Sequence, residues 1–192
     1  MTNGEIYADE GVDNLEGIAP IADIDYARAT WVGKTFWYKL NYYELYDAST
    51  DKFKKFDLKK YSPVKVIDSV AGWYNDTPVA LVLQAKSGET WTKSINVSGT
   101  NSSFVYKDIC KFNDYFLTED PRLKYKWPEK VWSAIEKGSL LMGMTPEQVR
   151  MSWGEPKEIN NTITGNAVRE QWVYLGGSYL YFTNGKLKSV QN

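Results

Sequence analysis

The sequence predicts a mixed α+β protein, in which a small antiparallel β-barrel precedes a module of two helices packed on a four-stranded antiparallel sheet. Three observations predict this fold class. Residues 31–110 contain five runs rich in β-branched and aromatic residues, separated by turn-forming residues. Residues 128–156 contain the start and stop signals of two helices. Residues 157–191 contain four runs that meet at turns rich in glycine and asparagine.

The composition is that of an ordinary globular protein. The 192 residues are enough for two small domains, and 43% of them are hydrophobic and 24% charged. No apolar run approaches the ~20 residues that a membrane-spanning helix needs. No secretory signal follows Met1, so we expect membrane association only through a lipid anchor or a leader removed ahead of this residue.

The N-terminal 30 residues are acidic, with seven carboxylates and one arginine. Because such a composition buries little apolar surface, residues 1–30 are predicted to form a flexible tail. The remainder is mildly basic, and its lysine-rich run at 52–60 is interrupted by Asp57. No motif of a nucleic-acid-binding fold accompanies this run, so we expect a solvated hairpin and no nucleic-acid partner.

Residues 31–110 are predicted to form an all-β domain. Pro63 and Pro78 each stand at the start of a run, where a missing amide donor does least harm. Five short strands suggest a small antiparallel barrel of SH3-like proportions. Residues 111–130 are too aromatic for a free linker, and we expect a packed junction there. The predicted strands are 34–40, 53–58, 64–69, 79–85 and 90–97.

Residues 131–192 are predicted to form the second domain. Pro128 suits the first turn of a helix that ends at Gly138. The run 145–148, Thr-Pro-Glu-Gln, is a capping box that begins a second helix, and Gly154 ends it. The predicted strands that follow are 157–164, 168–175, 178–183 and 186–191.

The second domain contains a set of cap, turn and core residues in a recognisable order. They are Gly143-Met144-Thr145, Val149, Gly154, Pro156, Trp172, Tyr174, Phe182, Asn184-Gly185 and Val190. This set resembles the SmpA/OmlA (BamE-like) family, which shares its group of folds with β-lactamase inhibitor protein, and the resemblance covers residues 130–191. It implies two helices against a curved antiparallel sheet, an envelope location, often with a lipid anchor, and a role as an assembly or inhibitory scaffold that acts through protein contacts.

Two-residue turns at Gly176-Gly177 and Asn184-Gly185 predict which strand residues lie opposite each other. The first turn places Trp172 opposite Tyr181, and the second places Phe182 opposite Leu187 and Tyr181 opposite Lys188. One face of the sheet then carries a continuous, rigid amphipathic surface. This face either binds a partner, docks on the N-terminal domain, or consists of ordinary exposed aromatic residues. Its predicted members are Trp172, Tyr174, Tyr179, Tyr181 and Lys188.

Catalysis is not expected. The chain has no histidine, and Cys110 is its only cysteine, so we expect no enzyme, metal site or cofactor. Trp73 and Tyr74 lie in a predicted loop where aromatic rings either stack on a sugar ring or a peptide proline, or cover one end of the barrel. Two functions remain open: an envelope or periplasmic module that binds another protein or subunit through the sheet face, and a glycan- or peptide-binding module that uses the N-terminal domain.

Overall fold

The computed structural model describes residues 21–47, 52–74, 77–98, 110–164 and 167–191, and in these residues the predicted α+β class is confirmed. The described residues divide into two compact units. The first unit contains the residues up to Tyr38, Glu44–Lys54 and Pro63–Thr118, and the second contains Lys39–Tyr43, Lys55–Ser62 and the residues from Glu119 on. The elements are α1 (Ile21–Trp31), β1 (Thr35–Tyr38), β2 (Tyr42–Asp47), β3 (Lys52–Asp57), β4 (Ser62–Tyr74), β5 (Thr77–Ala85), β6 (Thr90–Ile95), α2 (Phe112–Tyr115), β7 (Phe116–Leu117), α3 (Pro121–Lys124), α4 (Glu129–Glu136), α5 (Pro146–Trp153), β8 (Glu158–Thr164), β9 (Ala167–Val173), β10 (Tyr179–Thr183) and β11 (Lys186–Gln191).

The first unit contains an open five-stranded sheet with the order β6-β5-β4-β1-β7. The predicted barrel is therefore wrong, because no closed barrel is present among the described strands. The physical reason is strand partnership. The predicted strand at 53–58 pairs with β2 in a separate two-stranded sheet, and the short β7 takes the edge position beside β1. The closing strand that a barrel needs is thus not available to this sheet.

Helix α1 corrects the prediction of a flexible tail for residues 21–30. Ala27 is fully buried, and the Asp23 carboxylate accepts hydrogen bonds from the Ser98 amide and hydroxyl at 3.3 and 2.6 Å. The Arg28 guanidinium donates to the Ser69 carbonyl oxygen at 2.8 Å. The composition of residues 1–30 predicted a tail in which these charged side chains have no fixed partners. In the folded chain, tertiary contacts provide partners for both of them. Residues 1–20 of the predicted tail lie outside the described part of the chain.

Aromatic residues from the predicted junction complete the core of the first unit. Phe112 stacks on Trp31 with ring centroids 4.4 Å apart, and it also contacts Phe36 at 4.8 Å and Phe116 at 4.6 Å. Such ring pairs contribute about 0.5–1.5 kcal/mol each beyond the area that they bury. Residues after Thr118 belong to the second unit instead, so the 111–130 segment is shared between the two units.

The second unit contains an antiparallel sheet with the order β11-β10-β9-β8, and α4 and α5 contribute with it to one core. Helices and sheet both supply fully buried side chains to this core, as a two-layer arrangement requires. The partly buried Tyr61, Tyr125 and Trp127 pack against it. The buried members are Trp132, Ala134, Ile135, Met144, Val149, Trp172, Leu180, Phe182 and Leu187.

A short segment from the N-terminal half of the chain also belongs to the second unit. The Lys60 amide donates to the Glu136 carbonyl oxygen at the end of α4, and its ammonium donates to the Ser152 carbonyl oxygen near the end of α5. The Tyr61 hydroxyl donates to the Met151 carbonyl oxygen at 3.0 Å. Carbonyl groups at helix ends lack partners within the helix, and a cation is favourable there. The Lys60-Tyr61 pair therefore satisfies the ends of both helices.

Burial affects how this pair ionises. It lowers the pKa of the Lys60 ammonium, and it raises the pKa of the Tyr61 phenol to about 12, with a further contribution from Tyr125. The phenol therefore stays protonated near neutral pH, which its role as a hydrogen-bond donor requires.

The predicted capping box of α5 is confirmed. The Gln148 backbone amide donates to the Thr145 side-chain oxygen at 3.3 Å, and the Thr145 backbone amide donates to the Gln148 side-chain oxygen at 2.9 Å. Gly154 follows the helix with φ +86° and ψ −169°, and its amide donates to the Arg150 carbonyl oxygen at 2.7 Å. That backbone conformation is accessible almost only to glycine.

Substitutions at the two ends of α5 are expected to differ in cost. Thr145→Ala should lower the free energy of unfolding by ~1 kcal/mol, because one amide loses its cap. Gly154→Val should cost about 1–3 kcal/mol. No atom lies within 4 Å of the position that a Cβ would occupy at Gly154, so this cost comes from backbone strain. Urea denaturation measures both, and two variants as stable as the parent would contradict this account of α5.

Candidate interaction surface

The register of the β9–β10 hairpin corrects the predicted sheet faces. Tyr179 lies opposite Val173, and Leu180 lies opposite Trp172, so the pairing is shifted by one residue from the prediction. The Tyr174 amide donates to the Ser178 carbonyl oxygen at 2.9 Å. That bond closes a loop of three residues, 175–177, whereas a turn of two residues, Gly176-Gly177, was predicted. A shift of one residue moves every side chain of one strand to the opposite face relative to its partner.

Trp172 and Tyr174 consequently lie on the helix side of the sheet. Trp172 is 0% exposed, and its ring centroid lies 4.6 Å from that of Phe182. The Tyr174 hydroxyl donates to the Gly154 carbonyl oxygen at 3.0 Å, and its ring meets Trp153 edge-on. Burial raises the pKa of Tyr174 to about 12, with a smaller contribution from Glu155. The predicted continuous surface of four rings is therefore wrong.

The β10–β11 hairpin follows the prediction next to its turn and departs from it further on. Phe182 lies opposite Leu187, as predicted from the Asn184-Gly185 turn. An irregularity beyond Phe182 then places Ser189, not Lys188, opposite Tyr181. Lys188 is exposed at this irregularity. Its predicted pairing with Tyr181 is thus wrong, because the bulge adds one residue to β11.

Tyr179 and Tyr181 remain together on the face that points away from the helices. This outer face is defined by cross-strand pairing, since residues that lie opposite each other share a face. The rings of Tyr179 and Tyr181 are half-buried there. The centre of the outer face contains Asn160, Gln171, Val173, Tyr179, Tyr181, Ser189 and Gln191.

A row of hydrogen bonds crosses all four strands of the outer face. The Gln171 side-chain amide donates to the Tyr181 hydroxyl at 3.1 Å, and that hydroxyl donates to the Gln191 side-chain oxygen at 3.1 Å. The Asn160 side-chain amide extends the row to Gln171 at 3.5 Å. Because its hydroxyl both accepts and donates, the Tyr181 ring is held in one orientation. Binding of a partner to this ring therefore costs little side-chain entropy at Tyr181.

Charges occupy the two ends of the outer face. Arg169 and Lys186 both lie opposite Thr183 and are exposed. At the other end Glu158 lies opposite Val173 and is also exposed. The outer face thus has an amphipathic centre between a basic end and an acidic end, an arrangement that favours one orientation of a charged partner.

Trp73 and Tyr74 lie at the end of a strand and not in the predicted loop. Their backbone belongs to β4, where a loop was predicted, because β4 continues to Tyr74 and pairs there with Thr77. Their side chains lie outside the described part of the structure, so a binding role for them stays a prediction.

Sequence reasoning missed a groove in the first unit. This groove has a volume of about 310 Å³ and is lined partly by Tyr26, Trp31 and Phe112. Tyr26 meets Trp31 edge-on with ring centroids 5.7 Å apart. Tyr26 was assigned to the acidic tail and Trp31 to the all-β domain, so the helix that carries both was not predicted. Two aromatic residues so close to the end of that segment were the signal that could have indicated packing.

Within the described residues, no three or more histidine, cysteine, aspartate or glutamate side chains come together in a way that could hold a metal ion. No helix in the same residues is long and apolar enough to cross a membrane. No family model, curated protein or solved structure matches the chain.

Proposed function

We propose that the protein is a non-catalytic interaction module of the cell envelope, which binds another protein through the outer face of β8–β11. The observation that carries this proposal is the tyrosine pair of that face, with the Tyr181 hydroxyl held by Gln171 and Gln191. Tyrosine presents a large apolar ring with a polar tip, and it is enriched among residues that dominate binding energy at interfaces.

The resemblance to the SmpA/OmlA family supports the same function. The proposed arrangement of the second unit is like that of β-lactamase inhibitor protein, with α4 and α5 on one side of the sheet and the outer face on the other. A periplasmic or outer-membrane-associated location and a scaffold role follow from this resemblance. The non-catalytic part of the proposal rests on the composition, since a chain without histidine lacks the commonest general base.

Mutations on the outer face should separate binding from folding. We expect Tyr179→Ala and Tyr181→Ala together to weaken partner binding by ~30-fold or more, since an interface hot spot contributes about 2 kcal/mol or more. The melting temperature should change little, because both rings are only half-buried. Leu175→Ala is the matched control, because Leu175 is 82% exposed in the loop beside the outer face.

Co-purification from the native host identifies the partner, and titration of that partner against each variant measures the binding constant. Parent-like binding by the double tyrosine variant would contradict the proposal. Loss of binding in the Leu175→Ala control would also contradict it, because the contact would then lie on the loop.

A second candidate function is glycan or peptide binding by the first unit. The groove beside Tyr26 and Trp31 favours it, because aromatic rings stack on sugar rings and on prolines. Tyr26 is exposed, so Tyr26→Ala tests this function with little effect on the core. A glycan or peptide array that binds the parent and this variant equally would count against the groove.

A further inference from the structure

The two edges of the C-terminal sheet are protected to different degrees. On β11 the Gly143 amide donates to the Leu187 carbonyl oxygen, and the Leu187 amide donates to the Met144 carbonyl oxygen, both at 2.8 Å. This strand also carries two lysines and an irregularity in its pairing. Covering segments, lysines and bulges are the usual means of preventing an edge strand from pairing with another chain.

Strand β8 has none of these protections in the described part of the structure. Its sequence, Glu-Ile-Asn-Asn-Thr-Ile-Thr, contains no lysine, arginine or proline. Its pairing with β9 runs without a register shift from Glu158 to Thr164. Every residue from 158 to 163 is exposed. A long, regular, exposed edge of this kind is suited to accept an additional strand.

Apolar side chains lie along this edge on the helix side of the sheet. Ile163 is 75% exposed and Ile159 is 37% exposed. Val168 lies opposite Ile163 on β9, shares its face, and is 43% exposed. Burial of these side chains in an interface would stabilise association, since removal of apolar surface from water is favourable.

The order of residues in β8 is self-complementary about Asn161. In an antiparallel pair centred on that residue, Ile159 lies opposite Ile163 of a second copy, and Asn160 lies opposite Thr162 of that copy. Glu158 lies opposite position 164, so the two glutamates stand at opposite ends of the pair. A one-residue shift would place each isoleucine opposite a polar residue or the glutamate. This pattern satisfies the requirement of a two-fold interface, in which the same surface is used by both copies.

We propose that β8 pairs antiparallel with β8 of a second copy of this chain, which joins the two four-stranded sheets into one continuous sheet. The palindromic apolar pattern and the separation of like charges favour a second copy over an unrelated strand. The proposal does not depend on the proposed function, because the isoleucines that would meet at the β8 edge lie on the helix side of the sheet, whereas the tyrosine pair lies on the outer face.

Sedimentation equilibrium of the full chain tests the association. We expect a concentration-dependent dimer, and we expect Ile163→Lys to weaken it by about tenfold or more through loss of apolar burial. Leu175→Lys is the matched control, since it places the same charge on an exposed apolar residue of the β9–β10 loop, outside β8, and should leave the dimer intact. A chain that stays monomeric, or an Ile163→Lys variant that dimerises like the parent, would overturn the proposal. Capture of an unrelated strand by a monomeric chain would overturn it as well.

A mixing experiment tests the register. Ile159→Glu and Ile163→Lys should each weaken self-association, whereas the two variants mixed should form a heterodimer, because the introduced carboxylate of one chain then lies opposite the introduced ammonium of the other. Thermal melts of each variant alone check that the chain still folds. Absence of preferential heterodimer formation between two folded variants would refute the antiparallel pairing centred on Asn161.

Discussion

Trp172→Ala is expected to lower the free energy of unfolding by about 3–5 kcal/mol, the usual cost of removing a fully buried aromatic side chain. The ring contacts Phe182, and the Arg150 guanidinium lies 4.4 Å from its centroid. Its indole nitrogen donates to the Glu170 carboxylate at 2.9 Å. The truncation therefore leaves a cavity in the core of the second unit and removes a hydrogen bond at its edge.

Urea denaturation of both Trp172→Ala and Tyr179→Ala compares the loss in free energy of unfolding on the two faces of the sheet. Tyr179 is half-buried on the outer face, so we expect its truncation to cost about 1 kcal/mol or less. The observed pairing of β9 with β10 thus predicts a large loss of stability for Trp172→Ala and a small one for Tyr179→Ala. A two-residue turn would have placed both side chains on the same face. Equal losses in the two variants would be inconsistent with the observed register.

Tyr61→Ala is expected to destabilise the second unit by about 2–3 kcal/mol, although Tyr61 lies far in sequence from the helices and the four-stranded sheet of that unit. The ring packs against the core of the unit, and the hydroxyl donates to the Met151 carbonyl oxygen. The backbone of Tyr61 has φ +60°, an unfavourable value for a bulky residue. Tertiary contacts must therefore compensate for that strain, and truncation removes them.

Tyr61→Phe is the matched control for this prediction. It keeps the ring and removes only the hydroxyl, so we expect a loss of about 1 kcal/mol. Hydrogen exchange of the last-turn amides of α5 reports whether the loss is local to that helix. A Tyr61→Ala variant that is no less stable than Tyr61→Phe would show that the ring contributes nothing to the packing.

Local signals explain why the second helix and the last hairpin could be predicted. The Thr145 capping box depends on residues three apart in sequence, and it forms as expected. Asn184 and Gly185 both have positive φ, and the pairing next to their turn follows from that geometry. In both cases the interacting groups are a few residues apart, so the sequence contains the whole interaction.

The Gly176-Gly177 turn shows where such reasoning stops. Both glycines have positive φ, as expected for a turn, yet the hairpin closes between Tyr174 and Ser178. Local geometry allows more than one loop length. The observed length places Trp172 beside Leu180 and Phe182, and burial of this large ring in the core contributes far more than the choice between two turns.

The α+β class, the ends of α5 and the positions of the C-terminal strands could be predicted from the sequence, because caps and turns are interactions between near neighbours. Long-range contacts, in contrast, set the faces of β9 and β10, the folding of 21–31 as a helix and the membership of Lys60 and Tyr61 in the second unit. These features depend on partners distant in the chain, such as Ser98 for Asp23 and Met151 for Tyr61. Their energy arises from burial and hydrogen bonding that no short stretch of sequence contains.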